Sequence, residues 1–270
     1  MKIAYWGMVH GQARITSNML AVAVVSTILS DYRMLITGTH FTLNNLEGPL
    51  IGYQSIKHKD EFFRDVGIDA LIRSLKSAPL DEETIENCCF SLLNNRLSLL
   101  PGTMKNNKDY FHEDMEKLVI NMLRYIEVFH DLVFIDTNPG MNDLTRKVIH
   151  EADLLVVNLN QNLNMLNHVL KEPLFEDKKT FYLIGNYDKA SKYNIYNLRR
   201  MYKKLNRKNS SVIPYNTEFQ DAISDGELID FVKRNLQCGR EDKNYYFINQ
   251  LRQASIKILD LVGLEWRKDI

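Results

Sequence analysis

Asp131-Leu132-Val133-Phe134-Ile135-Asp136-Thr137-Asn138-Pro139-Gly140 is the stretch on which the fold turns. Leu132 to Ile135 is an unbroken apolar run, too short for a helix, closed by a carboxylate and an Asn-Pro-Gly turn signal. That pattern predicts a strand buried on both faces, with Asp136 at its carboxyl end. The same reading applies to Ile3–Trp6, Met34–Ile36, Asp153–Leu159, Phe181–Ile184 and Ser211–Pro214, with Arg96–Leu100 as a further strand-like segment ending at Pro101-Gly102. Apolar strands that alternate with helices predict an α/β protein with a doubly wound, mostly parallel sheet covered on both faces.

Helical spacing is found over Thr16–Leu29, which is apolar nearly all round and therefore predicted to be buried. Helices are also predicted over Asp69–Ser77, Glu82–Leu93 and Glu113–Phe129, as a helical elaboration of residues 40–130 within one domain spanning 1–270. The apolar stripe from Tyr245 to Val262 is expected to pack on the sheet, with only Trp266-Arg267-Lys268 free to lie outside. Basic and acidic residues balance at 34 each, so no whole-molecule field draws nucleic acid or membrane, and any such contact must be local. Cys88, Cys89 and Cys238 provide neither a disulfide framework nor metal-ligand spacing. The N-terminus runs straight into a strand-like segment, and no apolar run approaches bilayer length, so a cytoplasmic protein is expected.

Between the first strand and the buried helix lies Trp6-Gly7-Met8-Val9-His10-Gly11-Gln12-Ala13-Arg14-Ile15-Thr16-Ser17. A strand–loop–helix junction is where phosphate binds, because free N–H groups at a helix N-terminus attract anions. A working phosphate loop adds glycines, a Lys for the phosphates and a Ser/Thr for Mg²⁺. Taken alone, this loop lacks that pattern.

The rest of the chain nevertheless resembles the ParA/MinD-type P-loop ATPases. Asp131–Gly140 followed by Ala152–Val157 is similar to that family's second acidic motif and following strand. Ile184-Gly185-Asn186-Tyr187-Asp188 resembles its base-recognition strand end, and Val212-Ile213-Pro214-Tyr215-Asn216, with Asp221-Ala222 and Gly226, resembles its late Ile-Pro motif. Gly67–Leu71 and Leu99–Gly102 look closest to TadZ/CpaE-like members, which position pilus-assembly machinery. The resemblance implies a P-loop NTPase architecture, ATP and Mg²⁺ as cofactors, and a homodimer.

A gapless overlay of the family's deviant loop starts at Val9, which takes the place of the signature lysine that reaches a partner's nucleotide. His10, Gly11 and Ala13 then fall on glycines, Gln12 on the variable position, Arg14 on the phosphate lysine and Ile15 on the metal threonine. Arg14 keeps the charge as a planar fork rather than a point donor. Sliding the register by one brings Thr16 to the metal position but puts Ile15 in place of the lysine. Where the family carries Asp-x-Asp after its second strand, Thr37-Gly38-Thr39-His40 has no carboxylate, leaving Asp136 as the acidic group beside a metal. Gly11, Gln12, Ala13, Arg14, Ile15, Thr16 and Asn186 thus outline a relic nucleotide pocket, in which no tightly bound cofactor is expected and efficient hydrolysis is not. Arg14 either holds a phosphate or is solvated, and Asn186 either meets an adenine edge or caps the strand end. His10 and His40 are read as surface or hydrogen-bonded side chains, since a metal site needs more ligands.

Arg199, Arg200, Lys203 and Lys204 have the spacing of one helix face, with Tyr193, Tyr196 and Tyr202 interleaved. They are candidate contacts for DNA or another anionic partner. The expectation is a ParA/MinD-like positioning or assembly factor acting by dimerisation and through an unidentified protein partner. The rivals are an active ATPase using Arg14, and a DNA-binding partition or mobile-element accessory protein.

Overall fold

Residues 1–41, 46–53, 65–105, 107–171 and 175–268 are described in the computed structural model of the chain. The apolar runs form one eight-stranded sheet: β1 (Lys2–Gly7), β2 (Met34–Gly38), β3 (Phe90–Leu92), β4 (Leu97–Leu99), β5 (Leu132–Asp136), β6 (Leu154–Leu159), β7 (Thr180–Tyr187) and β8 (Ser210–Pro214). Their order is β3-β4-β2-β5-β1-β6-β7-β8. Every pairing is parallel except β3 with β4.

The pleat separates two cores. Ile3, Tyr5, Ile36, Phe134, Val156 and Leu183 face α1 (Ile15–Leu29), α9 (Thr217–Asp225), α10 (Leu228–Asn235) and α11 (Tyr245–Val262). Their neighbours Ala4, Trp6, Leu35, Val133, Ile135 and Val157 face the opposite layer. That layer holds α3 (Ile68–Ser77), α4 (Glu82–Asn87), α5 (Lys108–Phe129), α6 (Asp143–Glu151), α7 (Leu163–Lys171) and α8 (Ile195–Met201). The short α2 (Glu47–Ile51) lies against α9 and α10. Helix α1 is buried along nearly its whole length, as its all-round apolar sequence requires. Each such Val, Leu or Met contributes about 1.5–3 kcal/mol of burial.

Three expectations shift. The predicted helix Glu82–Leu93 stops at Asn87, and Phe90–Leu92 instead becomes β3, paired antiparallel with β4. The turn between them passes through Leu93, Asn94 and Asn95 at φ of 49°, 56° and 63°, a left-handed region that asparagine tolerates better than most residues. Helix α5 begins at Lys108 rather than Glu113, because the Asn107 side chain accepts hydrogen bonds from the N–H groups of Asp109 and Tyr110. The apolar stripe from Tyr245 packs against β8 and α1 as expected, but the segment after it does not stay outside. Trp266 packs on the core and donates to Asp260, and the Arg267 amide bonds the Leu29 carbonyl. Among the described residues, no helix is long and apolar enough to cross a membrane.

Candidate functional site

β1 sits between β5 and β6, with chain excursions to both sides, so a crevice opens beyond its carboxyl end. Such reversal points are where open parallel sheets bind ligands. The loop from Gly7 to Arg14 fills that position. It is held down by groups that do not line the pocket: Trp6 Nε1 donates to the Gly140 carbonyl at 2.6 Å, and the Gly140 amide donates to the Gly7 carbonyl at 3.1 Å. On the other side Asn18 Nδ2 donates to the Ala13 carbonyl (3.0 Å) and to Asn158 Oδ1 (3.2 Å), while Asn160 Nδ2 donates to the Gln12 carbonyl (3.3 Å).

The pocket beside the loop has a volume of about 440 Å³. Gly11, Arg14, Ile15, Thr16 and Asp136 line it, joined by His10 and His40 from the sequence candidates and by Pro49, Tyr53 and Ile223 as walls. Gln12, Ala13 and Asn186 are not part of the lining. Ala13 is buried with its carbonyl turned to Asn18. Asn186 stands exposed at φ 51°, in a register irregularity of β7, and its side chain makes no hydrogen bond among the described residues. It is therefore not the side-chain cap considered from sequence. Neighbouring Gly185 is what meets the loop: a β-carbon there would lie 2.6 Å from the Ala13 carbonyl oxygen.

At the base of the pocket Asp136 is fully buried. Thr16 Oγ1 donates to Asp136 Oδ2 at 2.6 Å, and His40 Nε2 lies 3.3 Å from the same oxygen. Among the described residues, Asp136 Oδ1 is buried without a hydrogen-bond partner, and so is His40 Nε2, whose approach to Oδ2 is a close charge contact rather than a hydrogen bond. Burial pushes the His40 imidazole down, but Asp136 and a backbone contact to Thr137 outweigh it, leaving the ring above its ordinary value. His40 reaches Asp136 because the Thr39 amide bonds the Asp136 carbonyl (2.9 Å), continuing the β2–β5 register past Gly38.

In P-loop proteins the loop Ser/Thr and the acidic residue of the later strand serve the same metal, and here the residue joined to Asp136 is Thr16. A register with Thr16 at the metal position puts Ile15 at the lysine and Arg14 at the last glycine, one place off the gapless overlay. Arg14 holds φ 51°, ψ 46° before α1 and makes no side-chain cap. Among the described residues its guanidinium has no hydrogen bond or ion pair. Ile15 is buried, with its side chain under Gly7.

The basic quartet does not share a helix face. α8 ends at Met201, so Lys203 and Lys204 lie beyond it, and Arg199 Nε and Nη2 are bonded to Ser210 Oγ and O. Arg200 and Lys203 remain exposed. Sequence reading also missed Asn18 and Asn158 as the loop's anchors. The available signal was an amide inside each of two otherwise apolar buried segments, where it needs a partner.

No family model and no curated protein sequence matches the chain. Solved structures do. A ParA family ATPase from Chlorobium tepidum is 11% identical with a TM-score of 0.71, covering 94% of this chain and 97% of that one. The septum site-determining protein MinD of Pyrococcus horikoshii, complexed with Mg-ADP, is 13% identical with a TM-score of 0.70, covering 97% of each chain. The MinC:MinD cell division complex of Aquifex aeolicus gives 12% identity and a TM-score of 0.68, over 96% of this chain and 95% of that one. The chain has the P-loop NTPase fold of the ParA and MinD ATPases.

Proposed function

We propose that this chain is a ParA/MinD-like positioning or assembly factor, of the TadZ/CpaE-like kind, that acts as a homodimer through partner binding without efficient ATP hydrolysis. The observation that supports the reading is the Thr16–Asp136 bond: on the register with Thr16 at the metal position, Ile15 falls where the family has its phosphate lysine. Phosphoryl transfer depends almost wholly on positioning and charge neutralisation. No lysine occurs from Gly7 to Ser17, and no carboxylate from Met34 to Phe41 where the family positions its attacking water. Arg14, one place before the helix, keeps the charge but as a planar fork rather than a point donor.

ATP suits the pocket in part: the N-terminus of α1 and Arg14 offer an anion site, while the adenine contact expected of Asn186 has no support in its outward placement. Mg²⁺ suits it poorly. The ion takes carboxylates and phosphate oxygens, whereas here the one carboxylate already shares an oxygen between Thr16 and His40. Among the described residues no group of three His, Cys, Asp or Glu side chains stands ready for a metal.

The test is phosphate release from ATP with Mg²⁺, for which no rate above the protein-free background is expected. Steady release that vanishes in Arg14→Ala would instead establish the ATPase. Dimerisation is tested separately: sedimentation velocity is expected to give the same dimer with and without ATP, and a monomer that pairs only with ATP would contradict it.

A further inference from the structure

We propose that Arg199, Arg207 and Lys257 form an oxyanion-binding site at the amino end of β8, and that its occupant is a carboxylate on an acidic segment of a partner protein. This gives a chemistry to the partner that the positioning reading requires, and it uses no side chain of the loop pocket.

β8 is an edge strand, paired only with β7. Its first residue, Ser210, is fully buried. Because β1, β6, β7 and β8 run parallel, Ser210 lies at the end of the sheet opposite to the loop pocket. The Ser210 carbonyl accepts from two cations, Arg199 Nη2 at 3.0 Å and Lys257 Nζ at 3.1 Å, and Arg199 Nε donates to Ser210 Oγ at 3.0 Å. Covering a strand edge with a charged side chain is common, but one cation suffices for it. Two cations on one neutral oxygen leave charge over. They come from different helices, α8 and α11, and are held together against their repulsion. Burial holds the Arg199 guanidinium below its usual range, and Arg207 beside it lowers it further. Burial likewise lowers the Lys257 ammonium, with Arg199 adding to the effect. Among the described residues no carboxylate lies within ion-pair distance of Arg199, Arg207 or Lys257. Other sheltered lysines do have such partners: Lys2 meets Glu127 and Glu151, and Lys105 meets Asp114. Partly buried charge is screened less than surface charge, so an anion among these three groups is held more firmly than on an open face.

The cations gather at one point rather than along a line, which fits a single oxyanion better than the repeating phosphates of a nucleic acid. Nor does the balanced net charge draw a polyanion from a distance. Exposed Arg200 and Lys203 follow Arg199 in the chain, with Met201, 51% exposed, between them. That surround suits a short acidic run carrying an apolar neighbour.

Fluorescence anisotropy of a labelled oligoglutamate peptide titrated with the full chain tests this, with labelled single-stranded and duplex oligonucleotides as comparison probes. The peptide is expected to bind saturably and less tightly as salt rises, and the oligonucleotides are expected not to bind. Arg199→Gln and Lys257→Gln are each expected to weaken peptide binding about tenfold, the scale of one charge-assisted contact. Lys233→Gln, at an exposed position on α10, is expected to leave it unchanged. Should Arg199→Gln not fold, Arg207→Gln carries the test. Arg207 is exposed and makes no hydrogen bond or ion pair among the described residues, so its loss spares the fold and is expected to cost the same tenfold. The proposal is overturned by a peptide that does not bind, by normal binding to Arg207→Gln, or by an equal loss in Lys233→Gln. An oligonucleotide that binds more tightly than the peptide, and is released by the same substitutions, overturns it too. None of these outcomes involves ATP, phosphate release or the assembly state, so failure here is distinct from failure of the non-hydrolysing reading.

Discussion

Gly226→Ala is expected to lower the unfolding free energy by about 2–4 kcal/mol, whereas Gly263→Ala costs only about 1 kcal/mol. The two glycines do the same conformational work. Gly226 ends α9 at φ 80° and Gly263 ends α11 at φ 74°, each a left-handed C-cap. For either, a β-carbon brings the strain of the left-handed region. Their surroundings differ. Among the described residues nothing lies within 4 Å of a β-carbon on Gly263, while one on Gly226 would be 2.3 Å from Gly52 Cα and 2.7 Å from the Gly48 carbonyl oxygen. Those are backbone atoms and cannot rotate aside, so α2 must move away from α9. Helix α2 and the residues after it bring Pro49 and Tyr53 to the pocket wall, so the same substitution is expected to loosen the site. Urea denaturation of both variants measures the difference; equal midpoints would mean that α2 yields freely and is not clamped by this contact.

How much of this was legible in the sequence differs between sheet and site. The strands were readable because a two-sided buried strand has to be a continuous apolar run, and Leu132–Ile135 and Leu154–Val157 leave no other use for themselves. Helix α1 was readable for the same reason. The β3–β4 hairpin was not, because Phe90–Leu92 is only three residues of half-exposed edge, and the turn that makes it relies on asparagines rather than glycine. At the site, the identity of the lining residues was mostly accessible, but their register was not. A loop that has lost its lysine and two of its three glycines can be slid by one position at little cost to the alignment. The contact between Thr16 and Asp136, separated by 120 residues, is what favours one register over the other. His40 was found as a residue and missed as a partner, because nothing local in Thr37–His40 says which strand lies alongside. The basic quartet failed for an opposite reason: its spacing suits a helix, but the helix stops at Met201.

Ile15→Lys is expected to raise the affinity for ATP by one to two decades, while Arg14→Lys leaves it unchanged. A charge-assisted hydrogen bond to phosphate is worth about 1.5–3 kcal/mol, and each decade of affinity corresponds to about 1.4 kcal/mol. On the register supported by the Thr16–Asp136 bond, that gain belongs to an ammonium at position 15. Ile15 occupies that position, lines the pocket and is the residue immediately before the Thr16–Asp136 pair. Arg14 stands outside the helix in a left-handed conformation, so a lysine there starts from a different direction and merely exchanges one free cation for another. The substitution has a cost. Ile15 is 9% exposed and packs under Gly7, so removing it forfeits part of the roughly 1.5–3 kcal/mol that a buried isoleucine contributes. A modest drop in melting temperature should therefore accompany the tighter binding. Calorimetric titration of the two variants side by side decides the register. If Arg14→Lys gains affinity and Ile15→Lys does not, the gapless overlay is correct and Thr16 bonds Asp136 for structural reasons alone.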